Sequence, residues 1–346
     1  MLAWLRKVND KAAPPVPASQ RSARERLLFS SALAVVRVSL LVSPRPAAML
    51  ARRVFAGNGK KIAESLEKHA PAGIAAVVDE RYGDDPDMLL DVVRPADAAA
   101  PLPLFLWVHG GAFIGGSKDE LLGYFKVIAS HGYVVAAPRY SLAPEHHYPT
   151  PPRQLMRALE YLQENADRLG IDPSRIVLGG DSAGAHIAAQ LGALATSPQY
   201  ADAVGVASTV RGDQVRAVVL ACGPFDMRLA RDGSEIARPL VQLVLWAYSG
   251  KRDALRDPFY WTWSVVDNLS PAFPPALVTV GNADPLRAHS VRLVDALDAQ
   301  GVETETVFFP DSYQPRLNHE YQFDLDSAEG QAFLERLLAF LRRRLA

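Results

Sequence analysis

The 346-residue chain has one cysteine, Cys222. An intrachain disulfide and a metal site built from cysteine ligands are therefore both excluded. Cys222 lies in the strand-like run VRAVVLACGP, where it reads as a small buried hydrophobe, and a lone thiol fits a reducing, cytoplasmic setting. A charge excess is missing too: 37 basic and 38 acidic side chains leave a formal charge of −1. Nucleic-acid binders normally carry a basic surplus, so that class is set aside, while a local patch for a charged substrate is not. No apolar run is long enough to span a bilayer. The best candidate, LLFSSALAVVRVSLLV from Leu27 to Val42, falls short of the ~20 residues required and is interrupted by Arg37. It also lies behind the Pro-rich AAPPVPAS, too far from Met1 for an ordinary secretory signal. A helix packing over the rest of the protein is the favoured reading, with interfacial lipid contact as the lesser one. Internal repeats are absent.

What is present is enough apolar material for a large core. Hydrophobic residues make up 49% of the chain. The length exceeds the ~250–300 residues at which single cores stop growing, so one large domain with an appendage, or two domains, is expected. Residues 1–70 read as an N-terminal helical segment, broken at Pro44 and Pro46 and punctuated by Gly57 and Gly59. From residue 71 to 346 strands and helices alternate. The strand candidates are GIAAVVDERYG, MLLDVVRP, LPLFLWV, YVVAAPRY, RIVLGG, VRAVVLACGP, ALVTVGNAD and ETETVFFP. Between them lie helical patterns near Glu120–Ser130, in RQLMRALEYLQENADRLG, after Ser182 and from Ala288 to Gln300. The closing AEGQAFLERLLAFLRRRL is also helical, with arginines in its last turn. Continuous apolar strands alternating with helices imply an α/β fold, a mostly parallel sheet covered on both faces. Residues 225–272 break the alternation and carry Trp246, Trp261, Trp263 and other aromatics, which marks a cap insertion.

In such sheets reactive groups collect beyond the carboxyl ends of the strands. There the pentapeptide GDSAG, Gly180 to Gly184, sits between a strand and a helix, and such a corner holds a serine out on its tip. Ser182 is the candidate nucleophile, beside helix N–H groups that favour developing negative charge. A serine needs a base oriented by a third group. Asp284 in VTVGNADPLR and His319 in LNHEY each follow a late strand and complete the order Ser, Asp, His. Asp284 as a helix N-cap and His319 as a surface histidine are the plainer alternatives. His186, one turn beyond Ser182, reads as a packing neighbour, and His289 as riding the helix after Asp284. The glycine-rich HGGAFIGG, His109 to Gly116, can converge amides on an oxyanion: Gly111 and Ala112 first, Gly110 next, with Ala183 after the nucleophile. Phe113 and Trp246 are candidates for an apolar substrate pocket.

Taken together, HGGAF, YSLAPEHHYP, GDSAG, GNADPLR and NHEY resemble the hormone-sensitive-lipase-like branch of the α/β-hydrolases, over roughly Asp79 to the C-terminus. The resemblance implies Ser182, Asp284 and His319 as a triad, the HGGAF amides as oxyanion donors, and a cap built partly from N-terminal helices. It departs at Ser141, where the family commonly has arginine. A second departure is the inserted DSYQPRLN before His319 and the Glu320-Tyr321 pair after it, where glycine and phenylalanine are frequent. The expected activity is a metal-free, cofactor-free serine esterase acting on small carboxylic esters of short to medium acyl length. A non-catalytic ligand receptor on the same scaffold, and an amidase or peptidase with the same groups, are the alternatives. A homodimer is left open.

Overall fold

The computed structural model describes residues 34–36, 38–39, 41–231 and 238–346. Most of the Leu27–Val42 segment lies outside these residues. No helix among those described is long and apolar enough to cross a membrane.

Eight strands form one sheet: β1 (Ile74–Arg81), β2 (Leu89–Pro95), β3 (Leu102–Val108), β4 (Val134–Pro138), β5 (Ile171–Asp181), β6 (Val215–Ala221), β7 (Ala276–Val280) and β8 (Thr304–Phe308). Their order is β1-β2-β4-β3-β5-β6-β7-β8. The first two strands run antiparallel to their neighbours, and from β4 onward every pairing is parallel. Along β3 the side chains alternate between two cores, as a period of two requires. Leu104, Leu106 and Val108 join one cluster, and Phe105 and Trp107 join the other. Both faces of the strand are apolar because helices cover both.

Seven helices matter for the site: α1 (Arg45–Glu67), α2 (Leu122–Ala129), α3 (Thr150–Glu164), α4 (Ala183–Thr196), α5 (Arg238–Ser249), α6 (Arg287–Ala299) and α7 (Ala328–Leu345). Helices α3, α4 and α6 cover one face through Leu155, Leu159, Ile187, Leu191 and Leu293. Helices α2 and α7 cover the other through Phe125, Ile128, Phe333 and Leu341. Ser327 caps α7 by accepting from the Gly330 amide at 3.0 Å. The arginines of its last turn reach β8, where Arg343 pairs with Glu305 and Arg344 with Glu303.

Helix α1 departs from the expected punctuation. Pro46 sits in its first turn, where a missing N–H costs nothing, and the helix then runs unbroken through Gly57 and Gly59. At Gly59 the space a Cβ would take is filled by the Glu120 side chain. The helix is pinned to the strand ends by Arg52. Its Nε donates to the Ile114 carbonyl at 2.6 Å and Nη2 to the Ala143 carbonyl at 2.8 Å, and it also pairs with Glu145. Beside α1 lies α5, the two joined by an apolar cluster of Ala47, Leu240 and Leu243 with Val36.

Candidate active site

The turn after β5 is built by steric exclusion. A Cβ on Gly184 would fall 2.0 Å from the Val108 carbonyl oxygen, and one on Gly180 2.5 Å from the Gly184 carbonyl carbon. Only glycine lets β3, β5 and α4 approach this closely. Between them Ser182 adopts φ 51° and ψ −120°, a region L residues rarely enter, with its amide donating to Ala221 O at 2.8 Å. That conformation presents Oγ to the cavity above the sheet.

Three strand ends meet there. The His319 imidazole donates Nδ1–H to Asp284 Oδ2 at 2.8 Å, and its Nε2 accepts from Ser182 Oγ at 2.9 Å. All three residues are buried. The other Asp284 oxygen accepts from the Leu286 amide at 2.7 Å, which fixes the carboxylate. The loop inserted before His319 is held by Asn282. This residue donates to Pro310 O (3.2 Å) and Tyr313 O (3.0 Å) and accepts from the Leu317 amide (2.8 Å), while Ala283 N reaches Leu317 O at 2.9 Å. Asn282 thus ties the loop of Asp284 to the loop of His319.

Burial by itself opposes a charged imidazole, but the Asp284 carboxylate outweighs it and His319 is raised well above its usual value. Cys222 packs beside the same imidazole. Burial pushes its thiol up to about 11, so it is neutral near pH 7 and adds no charge. Its sulfur, Asp284 and His319 offer ligand atoms within 4.8 Å of one another, but the carboxylate and both ring nitrogens are already engaged.

The glycine-rich loop after β3 places Gly111, Ala112 and Phe113 at positive φ. Here one expectation is corrected. The Gly110 amide is spent on Asp181 Oδ2 at 2.9 Å, so it is not free for an oxyanion. Among the described residues the amides of Gly111 and Ala112 donate to no protein group, and Ala183 opens α4, where the first amides have no helical partner. His109 keeps the loop in place, with Nδ1 donating to the Gly110 carbonyl at 2.8 Å and its ring stacked on Tyr140. Burial lowers its pKa to about 4, which keeps it neutral.

A cavity of about 260 Å³ opens over Ser182 and His319. Its roof is apolar: Ala51 and Phe55 from α1 and Leu240, Val241, Val244 and Leu245 from α5. Phe113 lines it, stacked on Tyr248 at 4.0 Å between ring centroids. Trp246 does not. The wall of α5 is made by residues at 240, 241, 244 and 245, and the next position turns away from that stripe. Trp246 instead lies under the Arg252 guanidinium, 5.7 Å from its ring centre. His186 is a packing residue, fully buried, with Nδ1 donating to Pro224 O at 2.9 Å.

Four titratable residues on the cavity wall were given no functional role from the sequence: Glu120, Asp181, His289 and Glu320. His289 accepts from the Asp226 amide through Nδ1 at 3.2 Å, and burial lowers its pKa to about 4. Burial, then the charges of Glu320 and Asp119, pushes Glu120 up to about 8. Asp181 is raised strongly by burial and next by the charge of Glu320. The only signals in the sequence were that Asp181 stands inside GDSAG and Glu320 directly follows His319.

A serine–histidine–carboxylate relay at the ends of β5, β7 and β8, on a mostly parallel eight-stranded sheet, defines an α/β-hydrolase. The profile of the family described as alpha/beta hydrolase fold (Abhydrolase_3) matches residues 105–314, and the chain belongs to this family of hormone-sensitive-lipase-like esterases. The chain is 29% identical over 268 residues to Carboxylesterase NlhH of Mycobacterium tuberculosis, covering 75% of this chain and 79% of that one. It is 38% identical to Esterase LipC of the same organism over 122 residues, 34% of this chain, and that match spans only 30% of LipC. Among solved structures, esterase B from Lactobacillus Rhamnosis (HN001) superposes with a TM-score of 0.72 at 23% identity, covering 92% of this chain and 97% of the other, which is a likeness of fold.

Proposed function

We propose that the protein is a serine carboxylesterase that hydrolyses small esters of short to medium acyl length through an acyl-enzyme. The observation that carries this reading is the bonded chain from Ser182 Oγ through His319 to Asp284, at 2.9 and 2.8 Å. Ser182 Oγ attacks the acyl carbonyl as its proton passes to His319 Nε2, and Asp284 stabilises the resulting imidazolium. The amides of Gly111, Ala112 and Ala183 hold the oxyanion. Collapse of the tetrahedral intermediate expels the alcohol, which takes the proton from Nε2. Water then attacks the acyl-enzyme by the same route in reverse.

The acyl length rests on the cavity. At about 260 Å³ it falls just below the usual range for small-molecule pockets, ~300–1,000 Å³, and its roof is mostly hydrocarbon, with Asn58 of α1 as a polar member. Residues 1–70 and 225–272 are read as a cap, supported by the packing of α1 against α5 above the nucleophile. A cytoplasmic setting is part of this reading, supported by the lone buried thiol of Cys222.

A panel of acyl esters of graded length tests the proposal. Hydrolysis that peaks at short to medium chains and is lost in Ser182→Ala supports it, and turnover retained in that variant removes it. Labelling of Ser182 by an organophosphonate separates an esterase from a ligand receptor. Matched ester and amide substrates separate esterase from amidase.

A further inference from the structure

Glu320 directly follows the histidine of the proposed triad and has a backbone at φ 60° and ψ 30°, left-handed and rarely adopted by L side chains. A glycine would enter that region freely, yet here the position carries a carboxylate. The turn aims it at the site. Glu320 Oε1 lies 3.6 Å from His319 Nε2, the nitrogen that takes the serine proton, and its side chain is only 17% exposed. It also neighbours the carboxyl of Asp181, which it helps to push upward. Asp181 in turn accepts from the Gly110 amide at 2.9 Å and from Trp107 Nε1 at 2.8 Å.

Resting on the triad reading above, we propose that Glu320 is a positioning residue for the general base. It gives the imidazolium a second carboxylate on its Nε2 side, next to the Asp181 that accepts from the loop bearing the oxyanion amides.

The charges around it support the arrangement. His319 faces Asp284, Ser182, Cys222 and Glu320, and Glu320 faces His319, Asp181 and Glu120, the last beside Asp119. Lys118, which pairs with that Asp119, is committed also to Asp79 and Asp91. Burial and then Glu320 raise Asp181 against the opposing Trp107 N–H and His319, and burial, Glu320 and Asp119 raise Glu120. Burial, and next Glu320, push the Asp181 carboxyl upward toward its neutral form, while Glu320 Oε1 faces Nε2 at 3.6 Å. During acylation the proton leaves Ser182 Oγ for Nε2, and the new N–H⁺ meets a carboxylate on each side of the ring.

Two readouts on the full-length protein test this. The first is the pH profile of kcat/KM for wild type, Glu320→Gln, Glu320→Asp and Glu320→Gly on a short acyl ester. The second is proton NMR of the low-field His319 Nδ1–H in Ser182→Ala, with and without Glu320→Gln. Removing a carboxylate at this distance should lower the acid limb and the NMR midpoint by about one pH unit and the plateau kcat severalfold. Glu320→Asp should return most of both effects. Glu320→Gly should fold with an unchanged or higher Tm, because glycine suits the left-handed backbone. An unmoved midpoint in folded Glu320→Gln and Glu320→Gly, with rates scaled down equally at every pH, would overturn the proposal, since that is what a purely structural residue does. Turnover retained by Ser182→Ala would instead sink the triad reading on which the proposal stands.

Discussion

The floor and the roof of the cavity are made by different physics. The floor is polar and directional. Ser182, His319, Asp284, Asp181 and Gly110 are bonded to one another or to fixed backbone at 2.8–2.9 Å, on loops leaving the ends of buried strands. The roof is two helices touching through Ala47, Leu240, Leu243 and Val36, with Arg52 tying α1 to the loops at the strand ends. Hydrogen bonds specify position and angle, whereas apolar contact is non-directional and tolerates exchange of similar volumes. The floor therefore decides which bond is broken and the roof decides what fits.

Substitutions that obey this division sharpen the contrast, and ones that violate it break it. The largest effect belongs to Ser182→Ala, which should lower kcat about 10⁵-fold or more with Tm unchanged, read by ester turnover and thermal melting. Asp284→Asn should cost about 10⁴ in kcat by releasing the imidazole tautomer. Because Asp284 is what raises His319 against burial, the acid limb of kcat/KM should also move to lower pH in any residual activity. Asn282→Ala touches no reacting atom but frees the loop of His319. A misplacement of ~1 Å there can cost about 10²-fold, expected in kcat more than in KM. A roof substitution such as Val244→Ala should change kcat little and raise KM for longer acyl chains up to about tenfold. If Val244→Ala instead cut kcat as deeply as Asn282→Ala, the roof would be part of the catalytic geometry and the division would fail.

The smallest effect concerns stability. Glu120 is pushed from the usual 4.5 up to about 8 in the folded protein, chiefly by burial. Its folded-state value lies above the unfolded one, so the native chain keeps a proton that the unfolded chain releases. Stability therefore falls as pH rises from 4.5 to about 8 and then levels. Glu120→Gln removes that penalty. It should raise Tm by roughly 5 °C at pH 9 and by little at pH 5, measured by scanning calorimetry.

How far this could be read without coordinates differs between parts. The GDSAG corner was legible because its constraint is local: glycines two residues either side of Ser182 are demanded by close approach of β3 and α4. The strands were legible because a sheet covered on both faces needs continuous apolar runs. Trp246 was misread because composition marks an aromatic-rich insertion but not the phase of its helix. Gly57 and Gly59 looked like interruptions because propensity is local, whereas α1 is held by Arg52 and by the Glu120 side chain packed against Gly59. Asn282 stood inside GNADPLR and Glu320 directly after His319, but neither position announced what its side chain meets.

By itself the sequence determined the order of elements, the identity of the nucleophile's corner and the residue types available for a proton relay, since these follow from short-range sterics and hydrophobic periodicity. Only the tertiary structure decided that His319 meets Ser182 across 137 positions, that Asp181 claims the Gly110 amide, and that a second carboxylate stands beside Nε2. Hydrogen bonds select partners by distance and angle in space, and spacing along the chain does not encode either.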